Sequence, residues 1–263
     1  MSTYVVTGSA SGMGAATKQR LEADGHEVFG IDVRDATITA DLGTRDGREN
    51  AIAAVYQYAD GAIDGIVTFA GLGGTSTRPG SIVASVNYFG TVALLEGLRP
   101  ALEAARGKQP AAVAISSNSS TVQPGLPTTI VDACLAGDED EARRLSNELG
   151  APIAYPSAKL AVARWVRRTA PTAEWAGTGI TLNAISPGYI ETPMTAEIRK
   201  DEKIGPLLDQ FPIPVGRGGR PEEIAGLVSF LLGPDARYLC GSVVLADGGS
   251  EAVLRPDHWP VAW

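Results

Sequence analysis

The first informative segment of the chain reads Thr7-Gly8-Ser9-Ala10-Ser11-Gly12-Met13-Gly14. It lies between an apolar, β-branched run at residues 4–8 and a segment with helical spacing of apolar residues at 14–24. Its glycines follow the pattern G-x-x-x-G-x-G, which permits a tight turn and lets backbone N–H groups approach a pyrophosphate at a helix N-terminus. The segment therefore predicts the strand–turn–helix unit of a dinucleotide-binding fold.

Beyond this segment, short β-branched runs alternate with longer helical patterns. We predict strands at residues 4–8, 27–32, 38–41, 65–70, 111–117, 179–186 and 242–247, and helices at 14–24, 44–60, 81–105, 154–168 and 221–232. Strands separated by helices of this length are typical of βαβ units, in which a parallel sheet is covered on both faces. Because no linker, repeat or low-complexity tract divides the chain, we predict a single doubly wound Rossmann-type α/β domain over residues 1–263.

The composition excludes several classes of protein. Of the 263 residues, 44% are hydrophobic and 20% are charged, which is typical of a globular domain. No uninterrupted apolar run approaches the ~18 residues that a transmembrane helix needs. The formal net charge of −8 opposes binding to nucleic acid. Two cysteines (Cys134, Cys240) and two histidines (His26, His258) are too few and too far apart for a structural zinc site or a disulfide framework, so we predict no metal and disfavour a zinc-dependent alcohol dehydrogenase.

The beginning of the chain, MSTYVVTG, has no basic segment followed by an apolar core, so we predict no export signal. The expected location is therefore the cytoplasm, where thiols stay reduced. The expected partners include neither a nucleic acid nor a membrane.

Two segments interrupt the alternation of strands and helices. Residues 118–151, here named the insertion, contain two predicted short helices at 128–136 and 138–149, hinged at Gly137, and carry a net charge of −4. Residues 189–219, here named the lid segment, are rich in Pro and Gly and are predicted to form a substrate-binding loop, since a loop of this length in a compact domain is usually functional. Its apolar residues include Met194, Ile198, Leu207, Leu208 and Phe211.

An acidic residue ends the second predicted strand. Asp32 lies 18 positions after Gly14, where a carboxylate accepts hydrogen bonds from the adenosine ribose hydroxyls and repels a 2′-phosphate. This position predicts NAD rather than NADP, although Arg34 has the charge to contact a 2′-phosphate and leaves NADP as an alternative. Asp41 and Leu42 end the third strand at the same sheet edge and are predicted to bracket the adenine.

The segment Tyr155-Pro156-Ser157-Ala158-Lys159 places a phenol and an ammonium group one helical turn apart on the same face. The ordinary pKa values of Tyr and Lys, ~10 and ~10.4, suit neither group to proton transfer at neutral pH. A neighbouring ammonium group stabilises the phenolate and lowers the pKa of the phenol. We therefore predict that Tyr155 is a general acid for carbonyl reduction and a general base for alcohol oxidation.

Taken together, these segments resemble the short-chain dehydrogenase/reductase family over essentially the full length of the chain. The matching elements, in order, are TGSASGMG, Asp32, the asparagine in SVNY at residues 85–88, the ISS at 115–117, YPSAK, and NAISPG at 183–188 followed by Glu191-Thr192. The resemblance implies a catalytic tetrad of Asn87, Ser117, Tyr155 and Lys159. It also implies that the active form is a homodimer or a homotetramer.

The resemblance implies a role for each of these residues. Ser117 would hydrogen-bond the substrate oxygen, Lys159 would also bind the nicotinamide ribose, and the backbone carbonyl of Asn87 would hold a water in a proton relay. Ser117 is chosen over Ser116 by the family pattern, because neighbouring strand residues face opposite sides. The complete set of predicted cofactor-binding residues is Gly8, Ser11, Gly12, Met13, Gly14, Asp32, Asp41, Leu42, Ala70, Gly71, Tyr155, Lys159, Pro187, Gly188, Ile190 and Thr192.

The chain departs from the family pattern at two places. The Asn-Ala-Gly that usually follows the fourth strand is Phe69-Ala70-Gly71 here, which bears on local packing more than on catalysis. In addition, 38 positions separate Ser117 from Tyr155, a much longer interval than in most relatives. The insertion accounts for the excess, and we expect it either to alter the usual oligomer interface or to cover the pocket.

The insertion, the VNYFG at residues 86–90 and the EAVLRP at 251–256 are most similar to the bacterial 3α-hydroxysteroid dehydrogenase/carbonyl reductase branch of the family. Coniferyl-alcohol dehydrogenases share the same pattern, so the implied substrate is a small apolar secondary alcohol, a ketone or an aryl alcohol. A 3-oxoacyl reductase is an alternative, but Asp32 and the acidic insertion oppose its usual NADP and anionic carrier. A non-catalytic dinucleotide-binding relative is a distant alternative, because such proteins typically lack the Tyr or the Lys.

Overall fold

The computed structural model describes residues 1–105 and 109–258. Seven parallel strands form one sheet in the order β3-β2-β1-β4-β5-β6-β7. The strands are β1 Thr3–Thr7, β2 Glu27–Asp32, β3 Ile38–Thr39, β4 Gly65–Thr68, β5 Ala111–Ile115, β6 Thr181–Pro187 and β7 Val243–Ala246. The predicted doubly wound, Rossmann-type α/β fold is confirmed, and all seven predicted strands are present with bounds that differ by a few residues.

Helices separate the strands and cover both faces of the sheet. They are α1 Gly12–Ala23, α2 Arg45–Tyr58, α3 Gly80–Ala84, α4 Thr91–Ala104, α5 Ser119–Val122, α6 Thr129–Leu135, α7 Glu139–Leu149, α8 Ala151–Thr169, α9 Pro193–Arg199, α10 Gly205–Asp209, α11 Pro221–Leu232 and α12 Ser250–Leu254. A π-helical turn, Ser85–Gly90, joins α3 to α4, and short 3₁₀ turns occur at Ala176–Thr178 and Pro234–Ala236. The order of the strands reverses between β1 and β4, which opens a crevice at their carboxyl ends.

The core consists of two layers, because neighbouring residues of a strand face opposite sides. Val5 contributes to the layer that contains α2, α4 and α8, whereas the next residue, Val6, contributes to the layer that contains α1 and α11. Both valines are completely buried. Burial of a side chain of this size contributes roughly 1.5–3 kcal/mol, so the alternation fixes which face of the sheet each helix covers.

The helical segment Gly80–Ala104 is, by its length of 25 residues and its composition, apolar enough to cross a membrane. Its most apolar window is 67% buried inside the protein, and Leu94, Leu95 and Leu98 have no exposed surface. This burial is typical of a core helix. The single helix predicted at residues 81–105 is wrong in one respect, since the π turn interrupts it.

The insertion forms the two predicted helices, α6 and α7, with Gly137 between them at φ +74°. The short helix α5 at its start was not predicted. Ile130, Val131 and Cys134 have no exposed surface, so the insertion adds to the core rather than projecting from it. Burial raises the pKa of the Cys134 thiol to about 12, which keeps it protonated. Helix α7 lies against α3 and α8.

The lid segment contains more regular structure than the loop that its composition predicts. Helices α9 and α10 lie within it, and a parallel bridge between Ile190 and Gly219 joins its two ends. The amide of Glu191 donates to the carbonyl of Gly219 over 2.8 Å, and the amide of Gly219 donates to the carbonyl of Tyr189 over 2.9 Å. The two ends of the lid segment are therefore hydrogen-bonded to each other.

Candidate active site

The glycine-rich turn follows β1 directly and begins α1 at the carboxyl edge of the sheet. Gly8 has φ +66°, and a Cβ added there would lie 2.8 Å from the amide nitrogen of Ala70. A Cβ added at Gly14 would collide with the carbonyl oxygen of Gly8. These two positions exclude side chains, so the turn stays tight against β4 and leaves the start of α1 open to an anionic group.

Asp32 holds the far side of this turn. Its Oδ2 accepts a hydrogen bond from the amide of Ala10 at 3.0 Å, and its Oδ1 accepts one from the amide of Val33 at 2.7 Å. Each carboxylate oxygen has a second lone pair, so the group retains acceptors for a pair of hydroxyls. Arg34 is exposed and does not line the cleft, which favours Asp32 as the residue that the ribose would meet.

A cleft of about 340 Å³ runs along the carboxyl ends of β1, β2 and β4. Eleven of the predicted cofactor residues line it, namely Gly8, Ser11, Gly12, Met13, Gly14, Asp32, Asp41, Leu42, Ala70, Gly71 and Thr192. The remaining predicted residues, Tyr155, Lys159, Pro187, Gly188 and Ile190, lie outside this lining. The glycine cradle, the carboxylate and the apolar walls fit a dinucleotide, whose pyrophosphate, ribose and base need these three environments.

Several lining residues were not predicted. They are Ile31, Val33, Ala40, Phe69, Leu72, Ile82, Val86, Pro193 and Met194. Leu72 and Val86 are sequence neighbours of the predicted residues Gly71 and Asn87. Their position next to a motif is the sequence feature from which they could have been predicted. Phe69, which departs from the family pattern, is 8% exposed and packs in the core layer of α1 and α11. Beyond the paired residues of β1 and β4, the Oγ1 of Thr7 accepts a hydrogen bond from the amide of Ala70 at 2.9 Å.

Ser117 lies two residues beyond β5 and is 7% exposed. Its Oγ accepts hydrogen bonds from the amide of Ser119 at 3.2 Å and from its hydroxyl at 3.0 Å. Its side chain is also near enough to Tyr155 to lower the pKa of the phenol. Ser116 instead donates to the carbonyl oxygen of Lys159 at 2.7 Å. The two serines therefore face different partners, and Ser117 is the one that influences the phenol.

Lys159 lies one turn after Tyr155 in α8 and is 3% exposed. Its Nζ donates to the carbonyl oxygen of Ile115 at 2.8 Å. Burial lowers the pKa of Lys159 to about 8, because the ammonium form loses its hydration. A Cβ added at Gly71 would lie 3.6 Å from Nζ, so the ammonium group borders the cofactor cleft.

The predicted downward shift of the pKa of Tyr155 is wrong for this structure. Burial raises the pKa of the phenol, and the nearby Ser117 side chain lowers it by less, so the net direction is upward. The physical reason is that a partly buried phenolate loses hydration. The amine of Lys159 is meanwhile directed to Ile115.

Asn87 lies in the π turn and is completely buried. Its Oδ1 accepts the amide of Leu72 at 2.8 Å and its Nδ2 donates to the Leu72 carbonyl at 2.9 Å. Its backbone carbonyl accepts the hydroxyl of Thr91 at 3.0 Å. The amide side chain thus fixes the segment after Gly71. The water-holding role of the carbonyl stays a prediction.

The loop after β6 is anchored at several points. The amide of Asn118 donates to the carbonyl of Pro187 at 3.0 Å, and a Cβ added at Gly188 would lie 2.6 Å from that of Asp247. Ile190 is 4% exposed and packs in the core layer of α1 and α11. Thr192 caps α9 by accepting the amide of Thr195 at 3.3 Å.

The lid segment is held to the loop after β4. Asp201 accepts the amide of Ser76 at 2.6 Å and its hydroxyl at 3.0 Å, and Arg78 forms an ion pair with Glu197 at 2.8 Å. Although burial alone would raise the pKa of Asp201, hydrogen bonds from backbone amides, including that of Ser76, lower it to about 2. These contacts bring Met194 and Ile198 against Gly73.

Of the apolar residues noted in the lid segment, Met194 alone lines the cofactor cleft, and Leu207 is 57% exposed. Within residues 1–105 and 109–258, no cluster of three His, Cys, Asp or Glu side chains is arranged to hold a metal ion.

Comparison with known proteins agrees with this arrangement. Residues 140–251 match the family described as Enoyl-(Acyl carrier protein) reductase. The chain is 42% identical to the 3-alpha-hydroxysteroid dehydrogenase/carbonyl reductase of Comamonas testosteroni, covering 98% of this chain and 100% of the relative. It is 30% identical to the 3-oxoacyl-[acyl-carrier-protein] reductase MabA of Mycobacterium tuberculosis, covering 94% and 92% of the two chains.

Among solved structures, the 3-alpha-hydroxysteroid dehydrogenase of Pseudomonas sp. B-0831, complexed with NADH, superimposes with a TM-score of 0.92 at 45% identity. The match covers 97% of this chain and 99% of that one. Near-complete coverage at this identity extends to the insertion as well as to the glycine-rich turn. The chain therefore belongs to the short-chain dehydrogenase/reductase family, as an oxidoreductase that acts on hydroxyl or carbonyl groups with a dinucleotide cofactor.

Proposed function

We propose that the protein interconverts a secondary alcohol and its carbonyl compound with NAD, and that Tyr155 is the general acid and base. The observation that carries this proposal is the placement of Lys159, whose Nζ lies 3.6 Å from the position of a Cβ added at Gly71, at the edge of the cleft. Tyr155 lies one turn earlier in the same helix, and Ser117 is near enough to lower the pKa of its phenol. Lys159 anchors the same helix to the end of β5. In the described part of the chain, the hydrogen bonds of Ser117 Oγ and Lys159 Nζ go to Ser119 and to the carbonyl of Ile115, and not to a carboxylate.

In the direction of reduction, the Tyr155 hydroxyl donates its proton to the substrate oxygen, and the Ser117 hydroxyl donates a hydrogen bond to the same atom. A bound nicotinamide supplies the hydride in this direction and takes it up in the other. Because burial raises the pKa of Tyr155, the phenol stays protonated at neutral pH and is a competent acid.

Oxidation requires the phenolate, and Lys159 supports its formation. The ammonium form of Lys159 favours the anion one helical turn away. The pKa of about 8 leaves this lysine predominantly protonated at neutral pH. As pH rises through that value the cationic form declines, so we expect the contribution of Lys159 to weaken on the alkaline side. A proton that leaves the ammonium group of Lys159 would be replaced by way of Asn87. The Oδ1 of Asn87 and the Nζ of Lys159 both lie near Gly71.

The preference for NAD rests on Asp32, since a carboxylate accepts from two ribose hydroxyls and repels a 2′-phosphate. The Pseudomonas relative was crystallised with NADH, which agrees with that preference. The residues that would hold the cofactor are those of the glycine-rich turn with Asp32, Asp41 and Thr192.

For the substrate, we propose an apolar ketone or alcohol of the size of a steroid or an aryl alcohol, bound under the lid segment. Met194 and Ile198 approach Gly73 and supply an apolar surface next to the cleft. The name of the Comamonas relative includes a hydroxysteroid and a carbonyl substrate. The similarity to MabA supports a 3-oxoacyl reductase as the second candidate.

We also propose that the protein is a cytoplasmic homodimer or homotetramer. The insertion covers α3 and α8, so an interface formed by those helices would have to include α6 and α7. Sedimentation equilibrium tests this assembly, and a monomer at micromolar concentration would contradict it.

The experiment is a panel assay of NADH oxidation with a 3-ketosteroid, an aromatic ketone, an aryl aldehyde and a 3-oxoacyl thioester. We expect turnover of the apolar carbonyl compounds. Tyr155→Phe should then lower kcat by about 10²- to 10⁴-fold, because the acid is removed while the ring is kept. The matched control is Tyr56→Phe, which removes a remote hydroxyl bonded to Gly97.

Two results would refute the proposal. Undiminished turnover by Tyr155→Phe would remove the acid–base role from this residue. A panel in which only the 3-oxoacyl thioester reacts would replace the proposed substrate class with the second candidate.

A further inference from the structure

The π turn at Ser85–Gly90 has contacts on two opposite sides. Asn87 faces the segment after Gly71, where its side chain bonds both backbone groups of Leu72. Ser85 lies two positions earlier, which turns its side chain about half a revolution away. Ser85 has no exposed surface, yet its hydroxyl is not buried against apolar groups alone.

The partner of Ser85 is an arginine from the insertion. Nη1 of Arg143, in α7, donates to Ser85 Oγ at 2.7 Å. The next residue, Arg144, forms ion pairs with Glu141 at 2.7 Å and with Glu148 at 2.9 Å. Over the described part of the chain, Arg143 has no ion-pair partner within 4.0 Å. Of two adjacent guanidinium groups, one is neutralised at the surface and the other is directed at the π turn.

The remaining contacts of α7 hold it against the start of α3 and against α2. The Oδ1 of Asn147 accepts the amide of Ser81 at 2.8 Å, and Gly80 approaches the carbonyl of Ser146 so closely that a Cβ would collide with it. Nη2 of Arg48 donates to both carboxylate oxygens of Glu139, at 2.8 and 2.9 Å, and fixes the N-terminus of α7. Arg143 is therefore held at a defined position relative to the turn.

A π turn contains one residue more than an α-helical turn and is less stable, so it persists where other contacts stabilise it. Here Thr91 bonds the carbonyl of Asn87 on one side, and Arg143 bonds Ser85 on the other. We propose that Arg143 is a positioning residue, which acts through Ser85 and the π turn to hold Asn87 beside Gly71 and Lys159. This inference rests on the proposed function of that site.

The test compares Arg143→Met with Arg144→Met, which makes the same change one residue further along α7. Arg143→Met should lower kcat for reduction of the carbonyl substrate about tenfold, with a smaller change in KM for NADH. The reason is that a small displacement of a site residue lowers the rate of the chemical step. Arg144→Met should leave both constants unchanged. Arg143→Lys keeps a donor and a charge, and it should restore kcat to within about threefold of wild type.

Two further measurements test whether Arg143 acts through Ser85 and the π turn. Ser85→Ala combined with Arg143→Met should lower kcat no further than the more severe single change, because both remove one interaction. Hydrogen exchange of the backbone amides at residues 85–91 should be faster in Arg143→Met than in Arg144→Met, in each case well below the Tm of the variant.

Equal kcat in Arg143→Met and Arg144→Met would overturn the inference, and so would an additive effect of Ser85→Ala. Faster amide exchange in Arg143→Met with an unchanged kcat would show that Arg143 has only a structural role. That result would also overturn the inference. If the wild-type protein reduces no carbonyl compound, the proposed function fails separately. The exchange experiment then still decides whether Arg143 holds the turn.

Discussion

The glycine-rich turn after β1 and the lid segment at residues 189–219 lie at the same edge of the sheet, but different contacts hold them. The turn is fixed by contacts of its backbone, with Gly8 packed against Ala70 and the amide of Ala10 bonded to Asp32. The lid segment is held by side chains more than a hundred positions away, as Asp201 on Ser76 shows. Close packing of backbone therefore builds the cofactor side, and separable polar contacts of side chains build the substrate side.

This difference predicts that a change in the turn is much more damaging than one in the lid segment. Gly14→Ala places a methyl group against the Gly8 carbonyl, so the turn must open. We expect NADH affinity, measured by fluorescence titration, to fall by about 10²-fold or more. Gly226→Ala is the control, because a Cβ there meets open space within α11 and should stabilise the helix by roughly 0.5–1 kcal/mol. Wild-type affinity in Gly14→Ala would break the comparison.

The next largest effect is expected at Asp32. Asp32→Asn should lower kcat/KM for NAD by about 10- to 100-fold, which corresponds to loss of charged hydrogen bonds of roughly 1.5–3 kcal/mol. The same change removes repulsion of a 2′-phosphate, so the ratio of kcat/KM for NAD to that for NADP should fall. Asp35→Asn, three residues away and exposed, serves as the control. An unchanged ratio would show that another residue selects the cofactor.

The insertion provides an intermediate case, because its ion pair with α2 is long-range but largely buried. Side-chain exposure is 9% for Arg48 and 20% for Glu139. Glu139→Gln should lower the free energy of unfolding by about 2 kcal/mol, since the guanidinium keeps its burial and loses its counter-charge. Glu148→Gln, in a pair that is about 60% exposed on each side, should cost less than about 0.5 kcal/mol. Equal denaturation midpoints would contradict this distinction.

The smallest effect is expected for the lid segment. Asp201→Asn should speed tryptic cleavage after Lys200 and Lys203 and raise KM for the carbonyl substrate a fewfold, while NADH affinity is retained. Asp209→Asn, in an exposed pair with Arg199, is the control.

The lid contact also has a predictable dependence on pH. The pKa of Asp201 is lowered from its ordinary value of 3.8 to about 2, so the carboxylate stabilises the closed lid fully above that ordinary value. This contribution is lost as pH falls from about 4 to 2. The difference in cleavage rate between wild type and Asp201→Asn should therefore shrink over that interval, using an acid-stable protease. A difference in cleavage rate that stays constant over this interval would show that the titration of Asp201 does not hold the lid segment.

Elements with strong periodicity were predictable from the chain alone. All seven strands and the two helices of the insertion agree with prediction, since alternating burial and helical spacing are local patterns. Helices α9 and α10 were not predicted, because helices of seven and five residues depend on tertiary contacts for stability. The π turn was also missed, since the contacts of Ser85 and Asn87 come from distant segments.

The sequence by itself determined the fold, the family and the residue types at the cleft. Spacing is sufficient for these features because a glycine turn or a helical i, i+4 pair brings its groups together through the backbone alone. Tertiary structure alone decided the raised pKa of Tyr155, the closure of the lid segment on Ser76 and the direction of Arg143 toward Ser85. Each of these depends on burial or on a partner far away in the chain, and neither is encoded in local spacing.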